Sequence, residues 1–398
     1  MNLKKRRWLT GAAAAVVLLV GAGLCVAEEK EVTAQTYCPP GFINVAALGA
    51  TPDDDTDDTR AFTTAISMKT GIYVPAGTYR ISKSLHWDSA VMMGAGVGKT
   101  RIVAKIANAE DAILYPGMSG ASLRDLTVGY DPSLITGEET EGERAAMMTG
   151  NIWAFAMGAS IENVCFENVG TGIYSLDGDQ YAMFSAALEN VSVRDFTFRG
   201  FDVRGTIRTG NYFRSIYMTS RYPVDSALYM DGEESETVFS GVVLENIRAR
   251  EPIHLRGHQA LRMSGIVLDH VELTDEGSGY IVLNNTNGTI DSVTVKNGTV
   301  AKNSSLFLAD TGEFYVNHGK GSPASAVTVQ TLTLHNLHSG SLADRDFAFV
   351  NRVTGAAGDY VLDILNYRFT TDHGDEALYT AFASEGQGIR LTLKGEAR

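Results

Sequence analysis

The chain contains little proline and little cysteine. Its 398 residues include 9 Pro and 3 Cys, against 41 Gly. Abundant glycine with scarce proline favours a folded chain with many turns over a disordered one. Three cysteines are too few for a disulfide-built scaffold, and no spacing of cysteine and histidine matches a metal site. We therefore expect no cofactor; calcium at the acidic run 53–58 is the alternative, and no binding motif supports it.

Positive charge is also in the minority. Lys and Arg number 33 against 47 Asp and Glu, which gives a formal net charge of −14. So acidic a chain repels nucleic acid and anionic lipid, and neither is an expected partner.

The first 27 residues have the pattern of an export signal. Positive residues at 4–7 precede an apolar run from Trp8 to Val26, and the small residues around Ala27 suit a signal-peptidase cut after it. The run is barely long enough to span a membrane, which leaves an uncleaved anchor as the alternative. Cleavage would move the net charge from −14 to −18. We expect a secreted, periplasmic or cell-surface protein that is free of the membrane after cleavage, with residues 28–36 as a linker.

The segment 37–103 predicts one helix and two short strands. Asp58 precedes the predicted helix 59–69 as its N-cap, and the acidic run before it is typical of a turn. Strands are predicted at 72–74 and 78–81, on either side of a Pro-Ala-Gly turn. The apolar face of the helix consists of Phe62, Ala65 and Ile66.

Three stretches within this segment carry a family resemblance: INVAALGATPDDDTDDTRAFTTAI, GIYVPAGTYRIS and GAGVGKTRI. They resemble the opening of the pectate lyase superfamily, with its polygalacturonase-like right-handed parallel β-helices and phage tailspike-like relatives. The resemblance implies an all-β, single-domain solenoid over 37–398 with a short N-terminal capping helix. It divides the solenoid into a cap with first coils, 37–103, and further coils, 104–398. It also implies a polysaccharide as partner, and a homotrimer as one assembly.

Beyond residue 120 a strand-like pattern repeats. Its apolar positions alternate strictly with polar ones, which is typical of strands rather than helices. Spacings of 19 to 39 residues between the central apolar residues fit stacked coils with loop insertions. The longest insertion, 129–157, holds the charged stretch 138–144 and is predicted to form a mobile loop beside a binding face. The central residues are Leu126, Val164, Val191, Ile216, Ile247, Ile266, Val293 and Leu332.

A second repeat follows about ten residues after the first. Aligned on its final Gly or Asn, it reads GIYSLDG, GFDVRG, ALYMDG, PIHLRG and YIVLNN. Alternation predicts that one set, which includes Tyr174 and Phe201, faces inward. The other set faces outward in two columns. The inner column is Ser175, Asp202, Tyr229 and His254; the outer column is Asp177, Arg204, Asp231, Arg256 and Asn284.

These columns have two interpretations. Alternating signs along the outer column predict an exposed salt-bridge ladder. Catalysis is the other interpretation. The backbones of Asp202 and Asp231 are about 8 Å apart, and the two carboxyl groups of an inverting glycosidase are about 6.5–9.5 Å apart. Asp231 lies between two arginines and therefore suits a base. The predicted catalytic residues are Asp202, Asp231, His254 and Arg256, and the predicted substrate-binding residues are Asp177, Asp179, Arg204, Tyr229 and Asn284.

Arginine is concentrated around these columns: residues 194–262 contain ten Arg and no Lys. Arginine grips carboxylates in a bidentate fashion, so the segment favours a uronate-bearing polysaccharide. The sequence departs from the polygalacturonase pattern, because it has no paired-aspartate motif, no Gly-His-Gly and no Arg-Ile-Lys. Two functions stay open: a polysaccharide hydrolase or lyase, and a non-catalytic β-helix that binds glycans or belongs to an envelope or spike.

Overall fold

The computed structural model describes most of the chain from Tyr37 onward. The described residues are 37–87, 91–116, 120–149, 159–175, 182–183, 186–207, 210–309, 315–316, 319–320, 325–339, 348–352, 360–370 and 389–393. The predicted signal and linker, 1–36, lie outside them, so these two assignments stay predictions.

The chain folds as an all-β solenoid of about nine turns, as predicted. Among the described strands, every pairing is parallel except one short antiparallel pair, β21 with β22. Long strands such as β10, β12, β15 and β16 bend and run through more than one face of the coil. Their inward side chains form one continuous core along the axis, which is how a solenoid buries apolar surface without a compact centre.

The elements have the following bounds. In the described part of the chain, the α-helix α1 covers Thr59–Ser67, and 3-10 helices cover Val45–Leu48 and Pro132–Leu134. The strands are β1 Phe42–Asn44, β2 Gly71–Val74, β3 Gly77–Ile81, β4 Leu85–Trp87, β5 Val91–Gly94, β6 Thr100–Ala104, β7 Leu114–Pro116, β8 Ser122–Tyr130, β9 Ala145–Thr149, β10 Ser160–Ser175, β11 Ala182–Met183, β12 Ala187–Ile207, β13 Asn211–Thr219, β14 Pro223–Val224, β15 Ser226–Ala249, β16 Ile253–Leu273, β17 Gly279–Asn284, β18 Asn287–Lys296, β19 Thr299–Val300, β20 Ser305–Ala309, β21 Tyr315–Val316, β22 Gly319–Lys320, β23 Ser325–His335, β24 His338–Ser339, β25 Ala348–Arg352, β26 Tyr360–Ile364, β27 Tyr367–Thr370 and β28 Ile389–Leu393.

The first predicted repeat forms one face of the solenoid, with one correction. Ile247 does not belong to the central column: it pairs with Val271 elsewhere on the coil, and Val242 takes its place. The steps between coils then range from 24 to 39 residues. The error arose because FSGVVL and LENIRA both fit the pattern, and only strand pairing decides between them. The column is Leu126, Val164, Val191, Ile216, Val242, Ile266, Val293 and Leu332, each at most 2% exposed.

A bend interrupts the strict alternation predicted for these strands. Asn163 adopts a left-handed backbone with φ of 52°, so Ile161 and Val164 both face inward although they are three residues apart. Asn and Asp tolerate this conformation better than other non-glycine residues. Stacked coils place these residues in a ladder: Asn163 Nδ2 donates to Asp125 Oδ1 at 3.0 Å, and Asn190 Nδ2 donates to Asn163 Oδ1 at 2.7 Å.

The N-terminal cap has the predicted helix and both predicted strands. Phe62 and Ala65 on α1 are fully buried, as the apolar pattern predicted. Asp58 precedes the helix without capping it, because its carboxylate accepts from the backbone N–H groups of Thr51 and Arg80 instead. Asp57 accepts from Thr59 N at 3.0 Å and takes over the predicted role.

The second repeat forms a second face, defined here by 171–175, 199–204, 226–231, 253–256 and 279–284. Its inward residues from Phe201 to Leu283 are buried as predicted, and Asp202, Tyr229 and His254 lie side by side on neighbouring strands. The alignment of the first coil was wrong by one residue. Tyr174, not Ser175, pairs with Asp202, and Ser175 is buried, hydrogen-bonding the backbone N–H and C=O of Arg204.

The misalignment arose because the first coil was aligned with the others on Gly178, the last residue of its motif. The register is fixed instead by the strand pairing of the residues before it. Asp177 and Asp179 lie outside the described residues, so their predicted substrate-binding roles stay predictions.

The charged stretch 138–144 forms a turn that contacts the solenoid. Residues 150–157 of the predicted loop lie outside the described residues, so its mobility stays a prediction. Glu139 is 9% exposed and accepts from the N–H groups of Thr136 at 2.6 Å and Gly137 at 3.0 Å. Arg144 donates to the carbonyl of Ile106 at 2.6 Å. These buried anchors hold the turn against the solenoid, beside the second face.

Two smaller points complete the fold. Both described cysteines are free thiols; Cys165 is 2% exposed, and Cys38 is half-buried. Within the described ranges, no helix has the length and apolar character required to cross a lipid bilayer.

The stacked core gives a stability prediction. Phe213 is fully buried, and its ring stacks on Phe239 with centroids 4.8 Å apart. Phe213→Ala should lower the free energy of unfolding by about 3–5 kcal/mol, since the solenoid can close the resulting cavity only in part. Chemical denaturation followed by far-ultraviolet circular dichroism measures the loss. Arg214→Gln, on the exposed side of the same strand, is the matched control, and an equal loss in both variants would contradict the assigned core face.

Candidate active site

Polar side chains cluster on the second face where β10, β12, β15 and β16 run side by side. Tyr174, Asp202, Tyr229 and His254 occupy successive coils in one register position. Parallel strands lie about 4.8 Å apart, so each of these residues lies directly beside the next one along the column. The next outward position carries Arg204, Asp231, Arg256 and Asn284, also in register.

Asp202 lies at the centre of this cluster and is fully buried. Arg204 grips it with two bonds, Nε to Oδ1 at 2.8 Å and Nη2 to Oδ2 at 3.0 Å, and Arg199 Nη1 reaches Oδ2 at 2.9 Å. Burial raises the pKa of the carboxyl, against the opposing effect of both guanidinium groups. Both carboxylate oxygens are engaged, so Asp202 organises the two arginines and is not accessible to a substrate, although it was predicted to be catalytic.

Each arginine also binds a second carboxylate. Arg199 Nε donates to Asp225 at 2.7 Å, and Arg204 Nη1 donates to Glu141 Oε1 at 2.7 Å. A continuous chain of alternating charge therefore crosses the second face. Its five members, in order, are Asp225, Arg199, Asp202, Arg204 and Glu141.

The predicted ladder along the outer column is present in part. Arg256 Nη1 lies 3.3 Å from Asp231 Oδ2, a cross-strand pair of the predicted kind. The Arg204 side chain turns toward Asp202 on its own strand, although its backbone pairs with Asp231. Asp231 is paired with Arg256, and its side chain keeps 27% of its surface exposed.

Tyr229 is packed between charged and aromatic neighbours. The Arg199 guanidinium carbon lies 3.6 Å from the ring centroid, and the His254 ring centroid lies 4.7 Å away. The Arg199 guanidinium therefore covers part of the Tyr229 ring, and the substrate-binding role of Tyr229 stays a prediction. Burial raises the pKa of Tyr229 to about 12, so its hydroxyl stays protonated as a hydrogen-bond donor.

His254 forms a dyad with a carboxylate that the repeat pattern missed. Its Nδ1 lies 2.8 Å from Glu251 Oε2, and the side chains are 8% and 16% exposed. Burial raises the pKa of Glu251, yet His254 and nearby arginines outweigh it and hold the pKa below the ordinary value. An ionised Glu251 fixes the proton of His254 on Nδ1, which leaves Nε2 as the basic nitrogen.

Other histidine and amide groups lie near the cluster. His258 is fully buried beside the Met230 backbone, with a pKa that burial lowers to about 4, so it stays neutral inside the core. Asn284 is fully buried, and none of the described residues hydrogen-bonds to its amide. The described part of the chain contains no group of three or more His, Cys, Asp or Glu that could hold a metal ion.

Sequence reasoning missed Tyr174, Arg199, Glu251 and Glu141. Arg199 and Glu251 each lie three residues before their partner, Asp202 and His254 respectively. A search for charged residues at this spacing in each coil would have found both. Glu141 comes from an insertion, and no repeat position marks it.

The assembled groups can perform acid–base chemistry and bind anions. An imidazole oriented by a carboxylate is a general base near neutral pH. Preorganised guanidinium groups match the geometry of a carboxylate on a ligand. Both lie on one face of a rigid solenoid.

Comparison with known proteins gives a family and a fold. The family model described as Rhamnogalacturonase A/epimerase, pectate lyase-like, matches residues 42–249. A pre-neck appendage protein of Bacillus phage phi29 is 28% identical over 167 residues, which cover 40% of this chain and only 16% of the phage protein.

Two solved structures share the architecture. The catalytic unit of the thermostable GH87 α-1,3-glucanase from Streptomyces thermodiastaticus has a TM-score of 0.50 at 14% identity, covering 92% of this chain and 70% of its own. The Agl-KA catalytic domain has a TM-score of 0.52 at 14% identity, covering 91% and 70%. At such identities the likeness concerns the fold.

The central carboxylate should be structurally indispensable. Asp202→Asn leaves two adjacent buried guanidinium groups short of a counter-charge, and we expect a loss of about 3 kcal/mol in the free energy of unfolding at neutral pH. Asp231→Asn, which removes a half-exposed pair on the same face, should cost at most about 1 kcal/mol. Chemical denaturation of both variants checks the difference, and similar losses would show that Asp202 is not the centre of the cluster.

The dyad predicts a pH dependence of stability. The folded pKa of Glu251 lies below its unfolded value, so its contribution is fully present above an unfolded pKa of about 4.3 and is lost as pH falls through the folded pKa. In Glu251→Gln the unfolding midpoint should therefore fall less steeply on acidification than in the wild type. Thermal melts from about pH 6 to about pH 3 measure this slope. Glu162→Gln, an exposed site on the same solenoid, should follow the wild type; an unchanged slope in Glu251→Gln would refute the assignment.

Proposed function

Since the chain belongs to the family described as Rhamnogalacturonase A/epimerase, pectate lyase-like, we propose that it is an exported enzyme that cleaves a uronate-containing polysaccharide by β-elimination. Its fold is a carbohydrate-active β-helix related to glucanases and epimerases. The His254–Glu251 dyad on an arginine-rich face is the observation that carries the proposed reaction.

The reaction needs a base and a way to neutralise a carboxylate. In β-elimination the base removes the proton alpha to the uronate carboxylate, a carbon–carbon double bond forms, and the glycosidic carbon–oxygen bond breaks. His254 Nε2 takes that proton while Glu251 stabilises the resulting imidazolium. The imidazolium then returns the proton to the departing oxygen, which balances the step. Arg256 and Arg204 are placed to bind the substrate carboxylate and stabilise the charge that develops on it.

Hydrolysis by two carboxylates has weaker support. A hydrolase needs one carboxyl group that delivers a proton and another that activates water or attacks. Asp202 is fully buried and bonded to Arg199 and Arg204, so the predicted Asp202–Asp231 pair lacks one reachable member. Asp231 stays in the proposal as the partner that orients Arg256.

A non-catalytic glycan-binding role is the second candidate. The similarity to a phage protein that is named as a pre-neck appendage protein favours it. A spike-like role would also accommodate the homotrimer expected from the resemblance. In that case the arginines would bind acidic sugars without turnover.

Replacing the base separates the two functions. His254→Asn should reduce turnover by about 100- to 10,000-fold, the range for loss of a general base. Absorbance of the unsaturated uronate product, measured across a panel of acidic polysaccharides, reports the activity. The matched control is His270→Asn on the same strand, β16, where the side chain is 60% exposed and away from the second face.

The outcomes are distinct. Loss in His254→Asn with full activity in His270→Asn supports the proposed base. Wild-type release of reducing ends without unsaturated product would replace elimination by hydrolysis. Binding of acidic glycans without any turnover would establish the second candidate.

A further inference from the structure

The turn at 138–144 places a carboxylate of the protein against the arginine best prepared to bind a ligand. Arg204 Nε and Nη2 are fixed on Asp202, so the plane of the guanidinium cannot rotate freely. Its remaining terminal nitrogen, Nη1, points outward and donates to Glu141 Oε1 at 2.7 Å. Arg204 is thus a preorganised donor whose outward edge holds a carboxylate from the chain itself.

We infer that this edge of Arg204 is a binding position for a uronate carboxylate, and that Glu141 occupies it as a competing internal ligand. The inference rests on the proposed function for the chemical class of the ligand. A uronate carboxylate and a glutamate carboxylate present the same two oxygens to a guanidinium group. Either can occupy the position, and not both.

Glu141 is weakly held compared with the turn that carries it. Its side chain is 46% exposed, whereas that of Arg204 is 14% exposed. Besides Arg204, Glu141 accepts from the Tyr174 hydroxyl at 3.2 Å. Burial raises the pKa of Tyr174 to about 12, so this hydroxyl stays a donor and is available to whichever carboxylate is present.

The turn itself need not unfold for the exchange. Buried Glu139 and Arg144 anchor it on either side of Glu141. Gly142, at φ of 79°, passes so close to Tyr174 that an added Cβ would lie 3.1 Å from the ring. The backbone is therefore held against the second face, and a rotation of the Glu141 side chain alone frees Arg204.

Binding measurements test the competition directly. Glu141→Gln should bind a short oligogalacturonate about 2- to 5-fold more tightly than the wild type, the range for release of a partly exposed ion pair. Its affinity for the methyl-esterified, uncharged oligomer should stay the same. The control is Glu138→Gln, which removes the same charge from an exposed position of the same turn. Isothermal titration calorimetry at one fixed salt concentration measures all three proteins.

Each outcome decides the inference separately from the proposed function. Weaker or unchanged oligogalacturonate binding in Glu141→Gln overturns it, whether or not the enzyme turns over polymer. An equal gain in Glu138→Gln overturns it as well, because general charge repulsion would then be the cause. A gain confined to Glu141→Gln supports it even if the wild type shows no turnover, a result that would refute the elimination reaction alone.

Discussion

The in-register stacking of parallel strands is the constraint on which everything else depends. Each coil repeats the backbone path of the previous one about 4.8 Å further along the axis. Residues some 25 positions apart in sequence, such as Asp202, Tyr229 and His254, thereby become direct neighbours. For the same reason, an error of one residue in the predicted register of a strand exchanges its buried and exposed sides.

The same stacking also explains why the charged side chains of the second face form a network of ion pairs. A column of side chains at such spacing cannot hold like charges without strong repulsion, so signs alternate or arginines turn toward partners on other strands. Arg204 illustrates the second solution, because it binds Asp202 and Glu141 rather than its register neighbour Asp231. Burial of Asp202 strengthens each of these bonds, because competing water is excluded. Because Asp202 is fully buried, a substrate cannot reach it, as it would have to reach a catalytic acid.

The sequence predicted the solenoid well because its signals are local and repeated. Alternating apolar residues and recurring turns determine the inward and outward sides of each strand, and β12, β15, β16 and β17 were aligned correctly. The errors occurred where local patterns are ambiguous. Ile247 and Val242 lie in equally plausible strand patterns on one long strand, and Ser175 was aligned by a glycine that lies outside the described residues. Asn163 bends its strand through a left-handed residue, a feature that alternation alone cannot indicate.

The candidate site was harder to predict because its decisive contacts cross between parts of the coil. The columns identified His254 and Arg204, yet the carboxylates that define their chemistry come from elsewhere. Glu251 lies at the corner before the strand, and Glu141 lies in an insertion more than sixty residues before Arg204.

These two carboxylates act in opposite ways on the same face. Glu251 is half-enclosed and holds His254 in one tautomer, so it contributes to the chemistry by remaining fixed. Glu141 is exposed and shares its arginine with any carboxylate that arrives, so it contributes by being replaceable. A buried partner gives an arginine or histidine its orientation, and an exposed partner occupies the position intended for a ligand. Glu251 and Glu141 have the same side chain and differ in burial. Because of that difference, Glu251 orients the catalytic histidine, whereas Glu141 competes with the ligand for Arg204.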